Sequence, residues 1–484
     1  MKLFEPLDIN GMVIPNRIMV PAMVTRLAGE DGFVNQDITD RYVRYAEGEV
    51  GLIVIEAMAV HHSKSGPLLR ISDDKYIAGL ADLARRIHGA SGSKVVPQII
   101  HFMKVARSGW RQTVDTLSLA DIDLIVEQFG DAVARAREAG FDGAELHSAH
   151  AYTLSSFLSR ANKRRDDYGG HTLEGRLRLV GRVMENVRRK VGADFPVCIR
   201  IVADEYIKDG YTIDDSKLIA LRLAQLGFDY ISLSVGGKFE DAIHKEGEVP
   251  YPYTGYSGDR CMPGNWFPPM LHAHLGREIR SFVRSKGYQV PIAVAGKISE
   301  PADAERVLAE GSADIVAMAR ALLADPYWPK KVRGGQDGRI IRCDYCNVCK
   351  QLDGTHHDVI CYLWPKGAKQ APRDEPGGNA PQWGDDRGGL SVALKEGEAH
   401  LRWSRPAGAV VHYDVYRTDD DGDVRVADGV KTTRWTDSSI LGGVRYRYYV
   451  RACDATGGVS SPSNSVPVEP PLPRTPARAP ARIA

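Results

Sequence analysis

The side chains with obvious chemistry gather in two short stretches. In GAELHSAHAY, residues 143–152, an apolar run ends in His147, His150 and Tyr152. Two imidazoles three residues apart, across a strand end and its turn, can both reach one substrate oxygen and polarise a carbonyl or nitro group. A tyrosine two positions on can hand a proton to a neighbouring carbon. Two plainer uses compete with this one: metal ligation by an HxxH pair, for which no third ligand stands nearby, and histidines that merely pack. The second stretch, CDYCNVC, spaces Cys343, Cys346 and Cys349 three apart, with Cys361 twelve residues later. Thiolates so placed reach successive irons of one [4Fe–4S] cubane. Zinc, which more often takes two separated CxxC pairs, is the alternative.

Eight apolar runs must position these groups: RIMVPAM from Arg17, GLIVIEAMAV from Gly51, KVVPQIIH from Lys94, GAELHSAH from Gly143, PVCIRIVAD from Pro196, YISLSVGG from Tyr230, PIAVAGKI from Pro291 and DIVAMA from Asp314. Segments of helical period separate them, among them SLADIDLIVEQFGDAVARAREAG from Ser118 and LEGRLRLVGRVMENVRRKVG from Leu173. Eight β/α units predict an α/β fold, a closed (β/α)8 TIM barrel over residues 1–335, whose strands read as continuous apolar runs because both faces are buried. An open doubly wound sheet fits that regular spacing less well. In such a barrel the carboxyl ends of the strands face the reaction chamber. HSAHAY ends the fourth strand and therefore points into it.

Residues 336–365 form the predicted cluster loop, and 366–388, rich in Pro, Gly and charge, a linker. From 389 to 470 seven short alternating strands with turn signals such as DDDG and ATGG predict a small all-β sandwich. This segment resembles a fibronectin type III module, with Trp403, Tyr413 and Tyr446 as expected core aromatics. The proline-rich tail, 471–484, is expected to be disordered.

Composition narrows the partners. Lys and Arg number 63 and Asp and Glu 62 in 484 residues, so charge gives no reason to expect nucleic acid or a membrane surface. No leader-like start and no run of apolar residues long enough to span a bilayer is present. Four of seven cysteines crowd into one loop, unlike a secreted disulfide framework. A cytoplasmic, homo-oligomeric enzyme acting on a small molecule is the expectation.

Residues 1–335 resemble the Old Yellow Enzyme family of FMN-dependent oxidoreductases. The resemblance rests on PNRIMVPAM, GLIVIEAMAV, PQIIH, AGFDGAELHSAHAYTLSSFLSRANKRRDDYGG, the RI after PVCI, VAGKI and VAMARALLADP, in order and at matching spacing. It implies that Pro21, Ala22 and Met23 lie under the isoalloxazine ring with Ala57 beside it, that Gln98 pairs with the pyrimidine edge, and that Arg200 is the cation near N1. Arg200 could instead form a salt bridge with Asp204 or Glu205. It further implies that Gly296 with Lys297, and Ala319 with Arg320, hold the phosphate. Lys297 and Ala319 stand where relatives often have Arg and Gly, and Val24 replaces a flavin-tuning Thr or Cys. His147 and His150 then anchor a substrate oxygen while Tyr152 donates a proton. NKRRDDYGG, residues 162–170, is read as structural.

The cysteine loop narrows the resemblance to the branch containing 2,4-dienoyl-CoA reductase and trimethylamine dehydrogenase, in which the cluster exchanges single electrons with FMN. No strand followed by GxGxxG comes after Cys361. NAD(P)H as external reductant, or a separate electron-transfer protein, is therefore expected. The first reading of function is reduction of a C=C bond conjugated to a carbonyl or thioester. Oxidative N-demethylation of an amine is the second, with aromatics of YPYTGYSGDRCMPGNWFPP, from Tyr251, as a possible cation pocket. A scaffold with a catalytically dead barrel is the third.

Overall fold

A computed structural model describes residues 1–62, 66–104, 111–238, 241–244, 251–374, 381–384, 386–419, 422–454 and 458–471. The predicted tail lies outside the described residues from 472 onward. Two compact units divide the chain, one of residues 1–335 and 343–371, the other of 336–342 and 372–484.

In the first unit a hairpin of β1 (Leu7–Ile9) and β2 (Met12–Ile14) precedes eight parallel strands: β3 (Ile18–Val20), β4 (Leu52–Ala59), β5 (Lys94–Ile100), β6 (Ala144–Ser148), β7 (Val197–Val202), β8 (Ile231–Ser234), β9 (Ile292–Ala295) and β10 (Ile315–Ala317). They close as a barrel in that order, β10 pairing with β3. All eight coincide with the apolar runs of the sequence. Helices follow the strands in alternation, including α1 (Gln36–Glu47) after β3 and α2 (Leu119–Glu138) after β5. The latter starts at a reciprocal cap in which Ser118 and Asp121 each satisfy the other's backbone N–H.

The hairpin was not anticipated. Its Ile9, Met12 and Ile14 are at most 4 % exposed and pack on Leu52, Val96, Tyr230 and Ile315 near the amino ends of the strands. That end is plugged with apolar side chains, so the open end is the carboxyl one.

Residues 366–371, expected in the linker, belong to the barrel unit. Arg41 of α1 is buried and needs acceptors, and the carbonyls of Val359 and Lys369 and the side chain of Gln370 supply them. The NKRRDDYGG loop is structural as read: Arg164 donates to the carbonyls of Val114 and Leu117, and Asn162 to those of Phe157 and Tyr168.

The second unit holds a three-stranded sheet of β11 (Ser391–Lys395), β12 (Glu398–Arg402) and β15 (Arg434–Asp437). Its four-stranded sheet is β14 (Gly422–Val430), β13 (His412–Asp419), β16 (Tyr446–Cys453) and β17 (Val466–Val468). Trp403, Tyr413 and Tyr446 lie in the core between them. Trp383, expected in the linker, packs against the same core because its indole N–H finds the Ser461 carbonyl at 2.7 Å.

Candidate active site

At the carboxyl end of the barrel one cavity encloses about 1170 Å³, its mouth included. All thirteen residues expected for flavin and substrate line it: Pro21, Ala22, Met23, Ala57, Gln98, His147, His150, Tyr152, Arg200, Gly296, Lys297, Ala319 and Arg320. Each sits at or just beyond a strand end, where the chain leaves the barrel wall.

The rings of His147 and His150 lie 5.1 Å apart, centroid to centroid, and that of Tyr152 is 5.1 Å from His147. This cluster depends on an unusual backbone. His150 and Ala151 have φ of 57° and 58°, a left-handed pair of non-glycine residues costing about 1 kcal/mol or more each. A bridge from His150 to Gly237 beyond β8 pins the turn. His150 Nε2 lies 2.6 Å from Ser234 Oγ, and the same hydroxyl is 3.4 Å from Arg200 Nη2. Arginine can only donate, so the Ser234 proton is directed to His150 Nε2, which leaves Nδ1 as the imidazole's N–H. His147 Nδ1 is buried with no partner among the described residues. Burial, reinforced by Arg200, holds both imidazoles well below their ordinary pKa, so both are neutral.

Arg200 makes no ion pair with its sequence neighbours. Glu205 instead accepts from Ser159 and from the Tyr211 N–H, and Asp204 from the Tyr206 N–H. Nε and Nη1 of Arg200 are buried without acceptors, a costly state unless another group satisfies them. Gln98 donates 2.7 Å to Glu145, which also accepts from Tyr230 at 2.7 Å, so the amide carbonyl of Gln98 stays available. Gly296 has φ 141°, and a Cβ there would meet His272 at 2.6 Å. His272 gives its Nδ1–H to the Ala295 carbonyl, which leaves Nε2 unpartnered, and burial pushes its pKa down to about 4. Unsatisfied donors at one end and a glycine-lined cradle at the other fit a flat, acceptor-rich ring bearing a phosphate.

Two features of the cavity wall bear on the expected roles. The Lys297 ammonium is bound to the carbonyls of Gly264, Asn265 and Phe267 at 2.5–3.0 Å, and Arg320 to the Pro263 carbonyl and Asn347. Both cations secure the 263–267 loop, so any phosphate contact falls to backbone and remaining N–H groups. The aromatic loop also builds no cage: Trp266 and Tyr256 are 68 % and 59 % exposed, and Arg260 lies 3.5 Å over the Tyr256 ring. Of that loop Tyr253 is the aromatic lining the cavity.

Cys343, Cys346, Cys349 and Cys361 are free and lie close enough to feel one another's charge. Left-handed φ at Tyr345 and Asn347, 60° and 64°, turn the chain between successive thiols. Cys343 Sγ accepts the Tyr345 N–H at 3.4 Å, and the backbone N–H groups of Val348, Lys350 and Leu363 favour the thiolates of Cys346, Cys349 and Cys361 against burial. Burial pushes the Cys343 thiol up to about 12 and raises the others, so without a bound cation these sulfurs stay protonated. Among the described residues, no three of them bring their sulfurs within 4.8 Å of one another. Cys349 lines the cavity wall.

Sequence reasoning missed Ser234, His272, Tyr345 and Asp353, which also line the cavity. Ser234 ends β8 and was open to the strand-end rule. His272 and Tyr345 come from loops and Asp353 from the short helix Val348–Gly354, whose paths no local pattern announces.

The NADH:flavin oxidoreductase / NADH oxidase family model matches residues 2–248 and 268–338. An NADH oxidase of Thermoanaerobacter brockii is 35 % identical over 72 % of this chain and 53 % of its own length. The N,N-dimethylglycine/sarcosine dehydrogenase of Chromohalobacter salexigens is 30 % identical over 81 % and 58 %. The chain thus spans little more than half of these two relatives. An NADPH dehydrogenase of Geobacillus sp. (strain WCH70) is 33 % identical over 68 % of this chain and 92 % of its own. Among solved structures, a 2-naphthoyl-CoA reductase superposes with TM-score 0.64 at 23 % identity, covering 74 % of this chain and 56 % of that one. The histamine dehydrogenase from Rhizobium sp. 4-9 gives 0.63 at 25 %, covering 78 % and 55 %. With the barrel, the cavity and these matches in agreement, the chain belongs to the NADH:flavin oxidoreductase / NADH oxidase family, the flavin oxidoreductases that include Old Yellow Enzyme.

Proposed function

We propose that this protein reduces a C=C bond conjugated to a carbonyl or thioester, using FMN in the barrel cavity and a [4Fe–4S] cluster on the four cysteines. The observation that carries this reading is the His147–His150–Tyr152 cluster: two neutral imidazoles with an N–H each, beside a phenol, facing the cavity into which Arg200 directs unsatisfied donors. Gln98 and Arg200 would hold the ring's pyrimidine edge, and Gly296 with the first amides of the segment from Ala319 its phosphate. Bound FMN would supply the hydride for the β-carbon. His147 and His150 hold the carbonyl oxygen and stabilise the negative charge that builds on it. Tyr152 gives its hydroxyl proton to the α-carbon and regains one from solvent through the open end of the barrel.

For the cysteines, a cubane is favoured over zinc because three thiols spaced three apart, with a fourth twelve residues on, reach successive irons of one cluster, whereas zinc more often takes two separated CxxC pairs. A cluster beside FMN has its use when electrons pass singly, so an electron-transfer protein is the proposed partner, with NAD(P)H as the other reductant. The C-terminal unit, with its three- and four-stranded sheets, is read as a fibronectin type III-like module that spaces or docks. Its Tyr446 hydroxyl accepts the Leu441 N–H at 3.0 Å, the kind of corner such sandwiches use. No helix among the described residues is long and apolar enough to cross a membrane. A cytoplasmic, homo-oligomeric enzyme remains the proposal.

Anaerobically purified protein tests this directly. Flavin bands with a broad shoulder near about 400 nm, iron on analysis and single-turnover reduction of an enone are expected. Colourless protein, or oxidation of amines with no enone reduction, overturns the reading. Reduction by NADH or NADPH alone within milliseconds, supporting full turnover, removes the need for a protein partner.

A further inference from the structure

Behind Gln98 lies a carboxylate that the proposed chemistry leaves unused. Glu145 is on β6, fully buried, and does not line the cavity. Strand register sets Gln98 of β5 on one side of it and Cys198 of β7 on the other. His147, two residues on, carries the same face of β6 into the cavity. Glu145 therefore occupies the barrel layer beneath the one that holds His147 and its register partner Arg200. Beside it stand Cys198 and Tyr230 of the apolar core.

Each carboxylate oxygen takes one hydrogen bond: Oε1 from Gln98 Nε2 and Oε2 from the Tyr230 hydroxyl, both at 2.7 Å. Among the described residues no cation is bonded to either oxygen, and Arg200 acts on the group through its charge. Burial raises the Glu145 pKa, against the opposing pull of Arg200, Tyr230 and Gln98. A buried carboxylate held by two neutral donors is a costly choice, because it loses hydration without a counter-ion in contact. Glutamine has nearly the same shape and would bond both neighbours without that cost.

What the carboxylate adds is polarity. An ionised carboxyl group can only accept, so Gln98 must turn its amide N–H groups inward and Tyr230 must donate. The Gln98 carbonyl oxygen is thereby held toward the cavity. An amide at 145, both donor and acceptor, would let residue 98 settle either way round. Between its two pyrimidine carbonyls an isoalloxazine ring carries a single N–H, at N3, and an acceptor is what that group needs. Arg200, whose Nε and Nη1 have no protein acceptor, supplies the donors that the ring's carbonyls need.

We propose that Glu145 is a positioning residue for the flavin: acting through Gln98, it fixes which end of that amide meets the ring and so selects an edge that donates at N3. This rests on the proposed FMN site and deepens it, since the selecting group stands one layer behind the residues that would touch the cofactor.

The test uses full-length protein stripped of flavin and reconstituted with FMN isotopically labelled at N3, with a thermal transition to check that each variant has folded. In the wild type the N3 proton gives a magnetic-resonance signal shielded from solvent exchange. In Glu145→Gln that signal shifts and exchanges faster, and FMN binds about tenfold weaker, the worth of one hydrogen bond. Gln98→Ala weakens FMN by a similar factor, and adding Glu145→Gln to it costs nothing further, because the amide through which Glu145 acts is gone. Tyr230→Phe leaves the bond to Gln98 in place and keeps the wild-type N3 signal. Losses that multiply in the double variant, or an unchanged N3 signal and FMN affinity in Glu145→Gln, overturn the inference. Where Glu145→Gln alone does not fold, the exchange Gln98→Glu, Glu145→Gln decides. It restores an acceptor at the cavity with a donor behind it, and binds FMN more tightly than Gln98→Glu alone, in which two carboxyl groups face each other; equal or weaker binding overturns the inference. Wild-type protein that takes up no FMN removes the proposed FMN site and the inference with it, whereas FMN bound with multiplying losses removes the inference alone.

Discussion

Replacing His147 tests how the site handles charge. Both histidines are buried and neutral, so each can offer one N–H to a substrate oxygen, and His147 Nδ1 has no protein partner to lose. Removing one hydrogen bond to an oxygen that gains negative charge costs about 1.5–3 kcal/mol, or about ten- to a hundredfold in rate. His147→Ala should therefore slow single-turnover enone reduction by that factor with flavin content unchanged, and His147→Asn, which restores a donor, should recover most of it. Because His150 serves the same oxygen, the double variant should lose less than the product of the two single losses. The pH profile carries the stricter test. With folded pKa values below 6.5, neither imidazole changes charge between about pH 6 and 8.5, so the wild-type rate should show no histidine ionisation there. Stopped-flow traces in which the rate rises tenfold per unit as pH falls through 7, with that rise abolished in His147→Asn, would refute neutral donation.

Arg200→Met removes the cation whose Nε and Nη1 lack protein acceptors; a loss of about 2 kcal/mol of stabilisation of the reduced flavin lowers its two-electron midpoint potential by about 40 mV, read by dye equilibration. Glu56 is fully buried, and burial pushes its carboxyl up to about 7 from 4.5, against hydrogen bonds from Thr25 and the pull of Arg41. Its raised folded pKa means that stability is lost as pH climbs from 4.5 through 7, by about 3 kcal/mol in all, so Glu56→Gln should stabilise the barrel against urea at pH 8 and change little at pH 4.5. Cys346→Ser should release most of the iron while the flavin bands remain, since Cys346 is absent from the cavity wall; loss of both cofactors together would place the cluster loop in the flavin site.

The barrel was readable because its signals are local and repeated: eight runs such as KVVPQIIH, apolar throughout because both faces are covered, and helices marked by caps such as Ser118 with Asp121. Strand ends followed from those runs, which is why Gln98, His147 and Arg200 could be placed before the structure. What escaped depends on long-range closure. The β1–β2 plug is six short-strand residues with no periodicity to speak of, and its role appears once the amino end of the barrel needs covering. Lys297 is placed by the sequence beside Gly296, but that the 263–267 loop, thirty or more residues upstream, comes back to bind its ammonium is invisible there.

The same logic explains where the backbone is strained. His150, Tyr253 and Lys297 line the cavity, with Ala151 next to His150, Tyr345 and Asn347 stand among the thiols, and all six have φ between 50° and 65°. Only asparagine among them adopts that region readily, so the other five forgo about 1 kcal/mol or more apiece. Residue types chosen for their backbone would be glycine or asparagine at each place. Their side chains explain the exception: an imidazole at 150 that faces Ser234, a phenol at 253 beneath Lys238, an ammonium at 297 that gathers three carbonyls. The cost is spread over a barrel whose core, from Ile18 to Val316, is almost wholly shielded from water, and a core of that size can offset it. A glycine at 150 would relieve the strain and remove the donor, which is why local propensity pointed away from the conformation that the site requires.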